Sequence, residues 1–169
     1  LYHSISILMS DYSILHKERE YYKQLEYQYK DSILSVIEKG GLGYSLVRSS
    51  QLLNDGNYNE ALDVAKKCYI TFNKNDHDIA KTAYTLSEVY KYKGDKEQEI
   101  AYLAISSIND LKAGVKEYIA LRKLAILLYE AGDIDRAYSY TKCSMEDAIF
   151  CNARLRTLEL SQMLPIIND

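Results

Sequence analysis

Apolar and polar positions alternate along this chain with the period of a helix. Ala83, Leu86, Ser87 and Tyr90 share one helical face, and so do Leu121, Leu124, Ala125 and Leu128. A second amphipathic run follows each: Ile100, Leu103, Ala104 and Ile108 after the first, and Ala137, Tyr138, Thr141, Met145 and Ala148 after the second. A short turn signal separates the runs and recurs three times, as Gly56-Asn57-Tyr58-Asn59-Glu60-Ala61-Leu62, Gly94-Asp95-Lys96-Glu97-Gln98-Glu99-Ile100 and Gly132-Asp133-Ile134-Asp135-Arg136-Ala137-Tyr138. The glycines at 56, 94 and 132 are spaced by 38 both times. Glycine just past a helix end enters the left-handed conformation at no steric cost. The Asn or Asp after it begins the turn, and the acidic residues that follow suit the positive end of the next helix. Each motif therefore predicts two helices joined so tightly that they are antiparallel neighbours.

The same pattern predicts nine helices, over 2–15, 17–38, 43–55, 58–73, 77–93, 96–111, 114–131, 134–150 and 152–164. The clearest break is Lys39-Gly40-Gly41-Leu42-Gly43; the stretch 71–78 is a second, and Pro165 stops the last helix. Gly114 stands apart from the 38-residue series, at the turn into the third unit. The expected organisation is an irregular N-terminal helix pair over 1–39, three regular pairs over 42–151 and a capping helix over 152–169 that continues into further sequence.

Composition narrows the class. One proline and seven glycines in 169 residues compare with roughly eight and twelve at average usage. That excludes a sandwich or barrel of short strands, which needs frequent turns. With 47% hydrophobic residues the chain is not a disordered tail. A net charge of −3, from 21 basic and 24 acidic residues, leaves no basic footprint for nucleic acid. No run is apolar enough to span a membrane. The first residue is Leu1 rather than Met, so the chain reads as a piece of a longer protein, and membrane attachment would come only from flanking sequence.

The three turns resemble the tetratricopeptide repeat. Gly56, Gly94 and Gly132 hold its turn glycine, Ala61 and Ala137 the small position of its second helix, and Ser49, Ser87 and Ala125 the small position of its first. The chain departs from the pattern in lacking the closing proline and in placing Ser45, Ala83 and Leu121 where a tryptophan is usual. Glu99 stands where the second unit should have alanine, which implies a disturbed helix crossing or a shifted register. A period of 38, against the usual 34, implies slightly longer helices. The resemblance implies an all-α, right-handed superhelix of antiparallel helix pairs, whose stacking buries a core that no pair could bury alone.

Two longer runs carry a closer resemblance. Gly94-Asp95-Lys96-Glu97-Gln98-Glu99-Ile100-Ala101-Tyr102-Leu103-Ala104, and the stretch 142–157 from Lys142 through Met145, Phe150 and Arg154 to Thr157, are similar to repeat-containing transcriptional regulators of Bacteroides-type bacteria. Members of that family typically carry a repeat-rich sensor part, a transmembrane helix, a coiled-coil segment and a C-terminal DNA-binding part. The resemblance implies that this chain is the sensor portion, on the periplasmic side, with a protein or peptide as its ligand. A cytoplasmic adaptor or co-chaperone and a self-associating homodimeric scaffold remain alternatives.

Candidate chemistry is sparse. His3, His16 and His77 form no metal-binding spacing, and an enzyme of helical-toroid type would need them to converge. Cys68, Cys143 and Cys151 are odd in number. Residues eight apart on one helix lie about 12 Å apart along its axis, beyond the roughly 7 Å that a disulfide spans. No cofactor or metal is expected. The seventeen tyrosines divide between filling gaps among helices and lining a groove, since each has a large ring and a polar tip. First helices line the concave face of tetratricopeptide arrays. By that resemblance the groove positions are Leu46, Ser50, Leu53 and Asn54, then Lys81, Tyr84, Glu88, Lys91 and Tyr92, then Arg122, Ile126, Tyr129 and Glu130. The mixture of aromatic, basic and acidic groups suits a polypeptide better than a simple anion.

Overall fold

The computed structural model describes residues 16–116 and 118–154, together with Ile5, Ser6, Met9, Thr157, Leu160 and Ser161. Among the described residues there are seven long helices: α1 His16–Val36, α2 Leu42–Asn54, α3 Tyr58–Thr71, α4 Asp76–Lys93, α5 Lys96–Lys112, α6 Tyr118–Glu130 and α7 Ile134–Phe150. No strand occurs among the described residues. The expected helices 2–15 and 152–164 lie largely outside them. The chain divides into two compact units, Leu1–Ala65 and Lys66–Asp169.

The three expected turns share one geometry. Gly56, Gly94 and Gly132 take φ of +76°, +75° and +83°. The next residue's N–H then reaches back five residues: Asn57 to the Leu52 carbonyl at 2.8 Å, Asp95 to Tyr90 at 3.0 Å and Asp133 to Leu128 at 2.9 Å. The Asp95 and Asp133 carboxylates turn forward and accept the N–H groups of Gln98 and Arg136 at the next helix start.

Gly114 does not open the following helix. At φ +66° it ends α5, the Val115 N–H reaches the Asp110 carbonyl at 2.9 Å, and residues 114–116 are not helical. Its counterpart lies 38 residues later: Asn152, at φ +52°, ends α7 with the Ala153 N–H on the Ala148 carbonyl. Asparagine is among the few side-chain-bearing residues that enter this conformation routinely. Two turn series therefore interleave, one inside the helix pairs and one between them.

In the first unit, Ser49 and Ala61 are fully buried where α2 crosses α3, with the Ser49 hydroxyl 3.4 Å from the Ala61 carbonyl. α1 packs on α2. The Tyr27 hydroxyl donates to Asp55 at 3.0 Å, and the Gln51 side-chain amide donates to Asp31. In the second unit, α4 packs on α5 and α6 on α7, and α5 joins α6. Leu103, Ala120, Leu124, Leu128 and Ala137 form its core. Tyr102 stacks on Tyr90 at 5.5 Å and meets Tyr69 edge-on at 5.7 Å, so part of the tyrosine excess is aromatic filling.

Glu99 causes no register shift. It follows its turn glycine by five residues, as Ala61 and Ala137 follow theirs. Its N–H bonds the Asp95 carbonyl at 3.0 Å, as that of Ala137 bonds Asp133 at 3.1 Å. It is 7% exposed, whereas both alanines are fully buried. The turn and the start of α5 keep the register of the other two pairs, and position 99 holds a largely buried carboxylate.

Candidate functional site

The second unit gathers most of the expected groove residues. Residues three and four apart on a helix share a face, so α4 carries Lys81, Tyr84, Glu88, Lys91 and Tyr92 as one stripe. α6 supplies Arg122, Ile126, Tyr129 and Glu130. The residue that binds the two stripes together is one that the repeat pattern does not select. Lys123 Nζ donates to Tyr84 Oη at 2.6 Å and to Glu88 Oε1 at 2.7 Å, and sits 4.8 Å from the Tyr84 ring centre. The Lys123 and Glu88 side chains are 24% and 25% exposed, so the pair is partly withdrawn from water.

The electrostatics follow from that geometry. Burial would lower the Lys123 pKa, but Tyr84 and Glu88 outweigh it and hold the ammonium above the usual lysine range. Burial and the Glu88 carboxylate push the Tyr84 phenol up, against the pull of Lys123. Burial also raises the Glu99 carboxyl; Glu88 adds to the rise, and Lys91, Lys123 and Lys96 oppose it. Lys96 bridges to Glu130 at 3.1 Å on the exposed rim. Charges of alternating sign thus run along the α4/α6 face, and the inner ones are held in fixed partnerships.

At the N-terminal end of α4 the face opens into a cleft of about 210 Å³. His77, Ala80, Lys81 and Tyr84 of α4 line one side, Ser106 and Asp110 of α5 another, and Val115, Ile119 and Ala120 the third. Two expected groove residues, Lys81 and Tyr84, are therefore part of a concavity. Asn54 is the exposed last residue of α2, in the first unit, where Leu53 is buried and Leu46 and Ser50 are half-buried. Of the three histidines, His77 is exposed on the cleft rim; His3 and the His16 side chain lie outside what the structure describes. Among the described residues, no cluster of His, Cys, Asp and Glu could hold a metal ion, and no helix is long and apolar enough to cross a membrane.

Sequence reasoning missed Lys123 and the cleft floor. Lys123 lies 35 residues after Glu88 and 39 after Tyr84. The first offset is one repeat less three residues, about one helical turn, and the second is one repeat plus one residue. An opposite-charge pair at that spacing was the available signal.

No curated protein matches this chain. Among solved structures, it is similar to the type III secretion translocator chaperone SycD of Yersinia enterocolitica. That likeness has a TM-score of 0.63 at 18% identity and covers 82% of this chain and 90% of that one, which is a likeness of fold. The family of the SusR N-terminal TPR domain matches residues 1–162. The fold is accordingly an all-α array of tetratricopeptide-type helix pairs, and the chain belongs to the SusR N-terminal TPR domain family.

Proposed function

We propose that this chain is a non-catalytic module that binds a protein or peptide and serves as the sensor portion of a bacterial transcriptional regulator. The observation that carries the binding role is the α4/α6 face, where Tyr84, Glu88 and Lys123 are locked together beside an open cleft. A face whose side chains are already ordered loses little entropy when a partner settles on it. Membership of the SusR N-terminal TPR domain family supports the regulator context. In the second unit, the groove residues proposed to meet the ligand are Lys81, Tyr84, Glu88, Lys91 and Tyr92 of α4 and Arg122, Tyr129 and Glu130 of α6; in the first unit, taken by itself, the candidate is Asn54 of α2. Occupancy would act on the rest of such a regulator by favouring one conformation of the array, which requires different affinities for the two states.

The experiment is a selection of random 12-residue peptides displayed on phage against the purified chain, followed by calorimetry on the enriched peptides. Saturable binding that weakens on substitution of α4 or α6 face residues supports the reading. A chain that enriches no peptide sinks it. A chaperone-like adaptor is the second reading, favoured by the fold likeness to a translocator chaperone. A gene whose flanking sequence encodes neither a membrane-spanning helix nor a DNA-binding segment would select that reading.

A further inference from the structure

We infer that the cleft between α4, α5 and α6 is an anchor pocket for a single bulky apolar side chain of a peptide, one with an acidic residue close by that pairs with Lys81. This inference rests on the peptide-binding reading above and makes it specific.

Size comes first. Apolar cavities of roughly 150 Å³ accept one benzene ring, whereas pockets for whole small ligands run to about 300–1,000 Å³. A cleft of about 210 Å³ therefore suits one ring or one branched aliphatic side chain. Its walls agree with that occupant. Ala80, Ala120, Val115 and Ile119 present hydrocarbon, and the Tyr84 ring adds an aromatic flank fixed by the Lys123 hydrogen bond. Ala80 and Ala120 are each 1% exposed, so the floor is already dry, and it is small side chains that leave the volume open.

Charge then sets what lies beside the anchor. On the α4 stripe, the Glu88 carboxylate is occupied by Lys123. Lys81, on the cleft wall, is exposed, and its ammonium makes no hydrogen bond or ion pair among the described residues. The charge left uncompensated at the mouth is therefore positive. A carboxylate reaching Lys81 gains a partner without displacing one, while a basic residue there meets repulsion. Asp110, the acidic residue of the lining, is buried and already engaged.

The test uses the purified chain and the displayed random 12-residue library. The enriched peptides should share one Leu, Ile, Phe or Tyr within four residues of an Asp or Glu. Replacing that apolar residue by Ala should weaken binding at least tenfold. Lys81→Glu should weaken it by about tenfold, and changing the peptide's acid to Lys should restore binding to that variant. Ala80→Phe should abolish binding by filling the cleft. Should Ala80→Phe unfold the chain, His77→Trp, at the exposed rim, covers the mouth and is read the same way. Enriched peptides that bind these variants as tightly as the parent overturn the anchor pocket and leave peptide binding elsewhere on the face intact. Phenol or indole saturating the cleft while no peptide is enriched overturns both readings in favour of a small-molecule site.

Discussion

The Lys123–Glu88 pair is the sharpest place to test the reasoning, because it joins two repeats through a lysine that the repeat pattern does not select. Lys123→Met keeps the aliphatic stem and removes the charge. Lost with it are a bond to Glu88 at 2.7 Å, a bond to Tyr84 at 2.6 Å and the contact 4.8 Å above the tyrosine ring. Hydrogen bonds to charged groups contribute about 1.5–3 kcal/mol net, and side chains about one-quarter exposed sit toward the lower end. The ring contact adds about 0.5 kcal/mol at such exposure. The substitution also leaves the Glu88 carboxylate near that of Glu99 with less cationic cover. Lys123→Met should therefore destabilise the protein by about 2 kcal/mol, a drop of roughly 4–8 °C in Tm for a chain of this size. The decisive measurement is a double-mutant cycle with Glu88→Gln, using urea unfolding followed by circular dichroism. A coupling of about 1–1.5 kcal/mol is expected, well above the roughly 0.3–0.5 kcal/mol typical of independent sites. A coupling below that floor would refute the view that this pair is a fixed internal bridge. Both partners hold the Lys123 pKa up, so the lysine's contribution to the bridge is fully present at neutral pH and is lost as pH rises through that raised value.

Four other outcomes follow from single residues. Glu99 has a raised carboxyl pKa in the fold, so its contribution is fully present below the ordinary glutamate range and is lost as pH rises through the raised value; Glu99→Gln should raise the urea midpoint at neutral pH, and the gain should vanish in acid. Gly94→Ala should cost about 1–2 kcal/mol by thermal melting, all of it backbone strain, because an added Cβ would meet no atom within 4 Å; Asn152→Gly, which relieves the same conformation, should gain a few tenths up to about 1 kcal/mol. Lys96→Ala should stay within about 0.5 kcal/mol of the parent, because its bridge to Glu130 joins side chains 71% and 50% exposed.

The turn glycines were legible because a left-handed residue at a helix end leaves a composition trace that survives any variation in packing. Gly114 reads correctly as a turn but looks isolated for a related reason: its period mate is Asn152, and a search for glycine cannot see an asparagine doing the same job. Helical faces could be read from apolar spacing, but the choice between Arg122 and Lys123 could not. Adjacent positions differ by about 100° of rotation, and which one reaches α4 depends on how the helices pack. The cleft was invisible because it is an absence, left where Ala80, Ser106 and Ala120 face one another from three helices. The repeat pattern left the effect of Glu99 undecided, and the unchanged turn hydrogen bonds decide it.

Glu99 also bears on how the chain assembles. Helix pairs of the same design can dock in the wrong order, and misassembly of that kind is a characteristic failure of repeat proteins. The cations that favour the charged form of Glu99 are Lys91, Lys123 and Lys96. One repeat earlier, the corresponding positions hold Leu53, Tyr58 and Thr85; one repeat later they hold Tyr129, Ile134 and Ser161. None of the six carries a positive charge. Lys91 and Lys96 lie in the same helix pair as Glu99 and move with it, so a chain that slipped by 38 residues would part the largely buried carboxylate from Lys123 alone and set a neutral residue in its place, at a cost in lost charge compensation. The residue that departs most plainly from the repeat thereby marks which pair is the middle one, and the sequence carries an address for each unit as well as a shape.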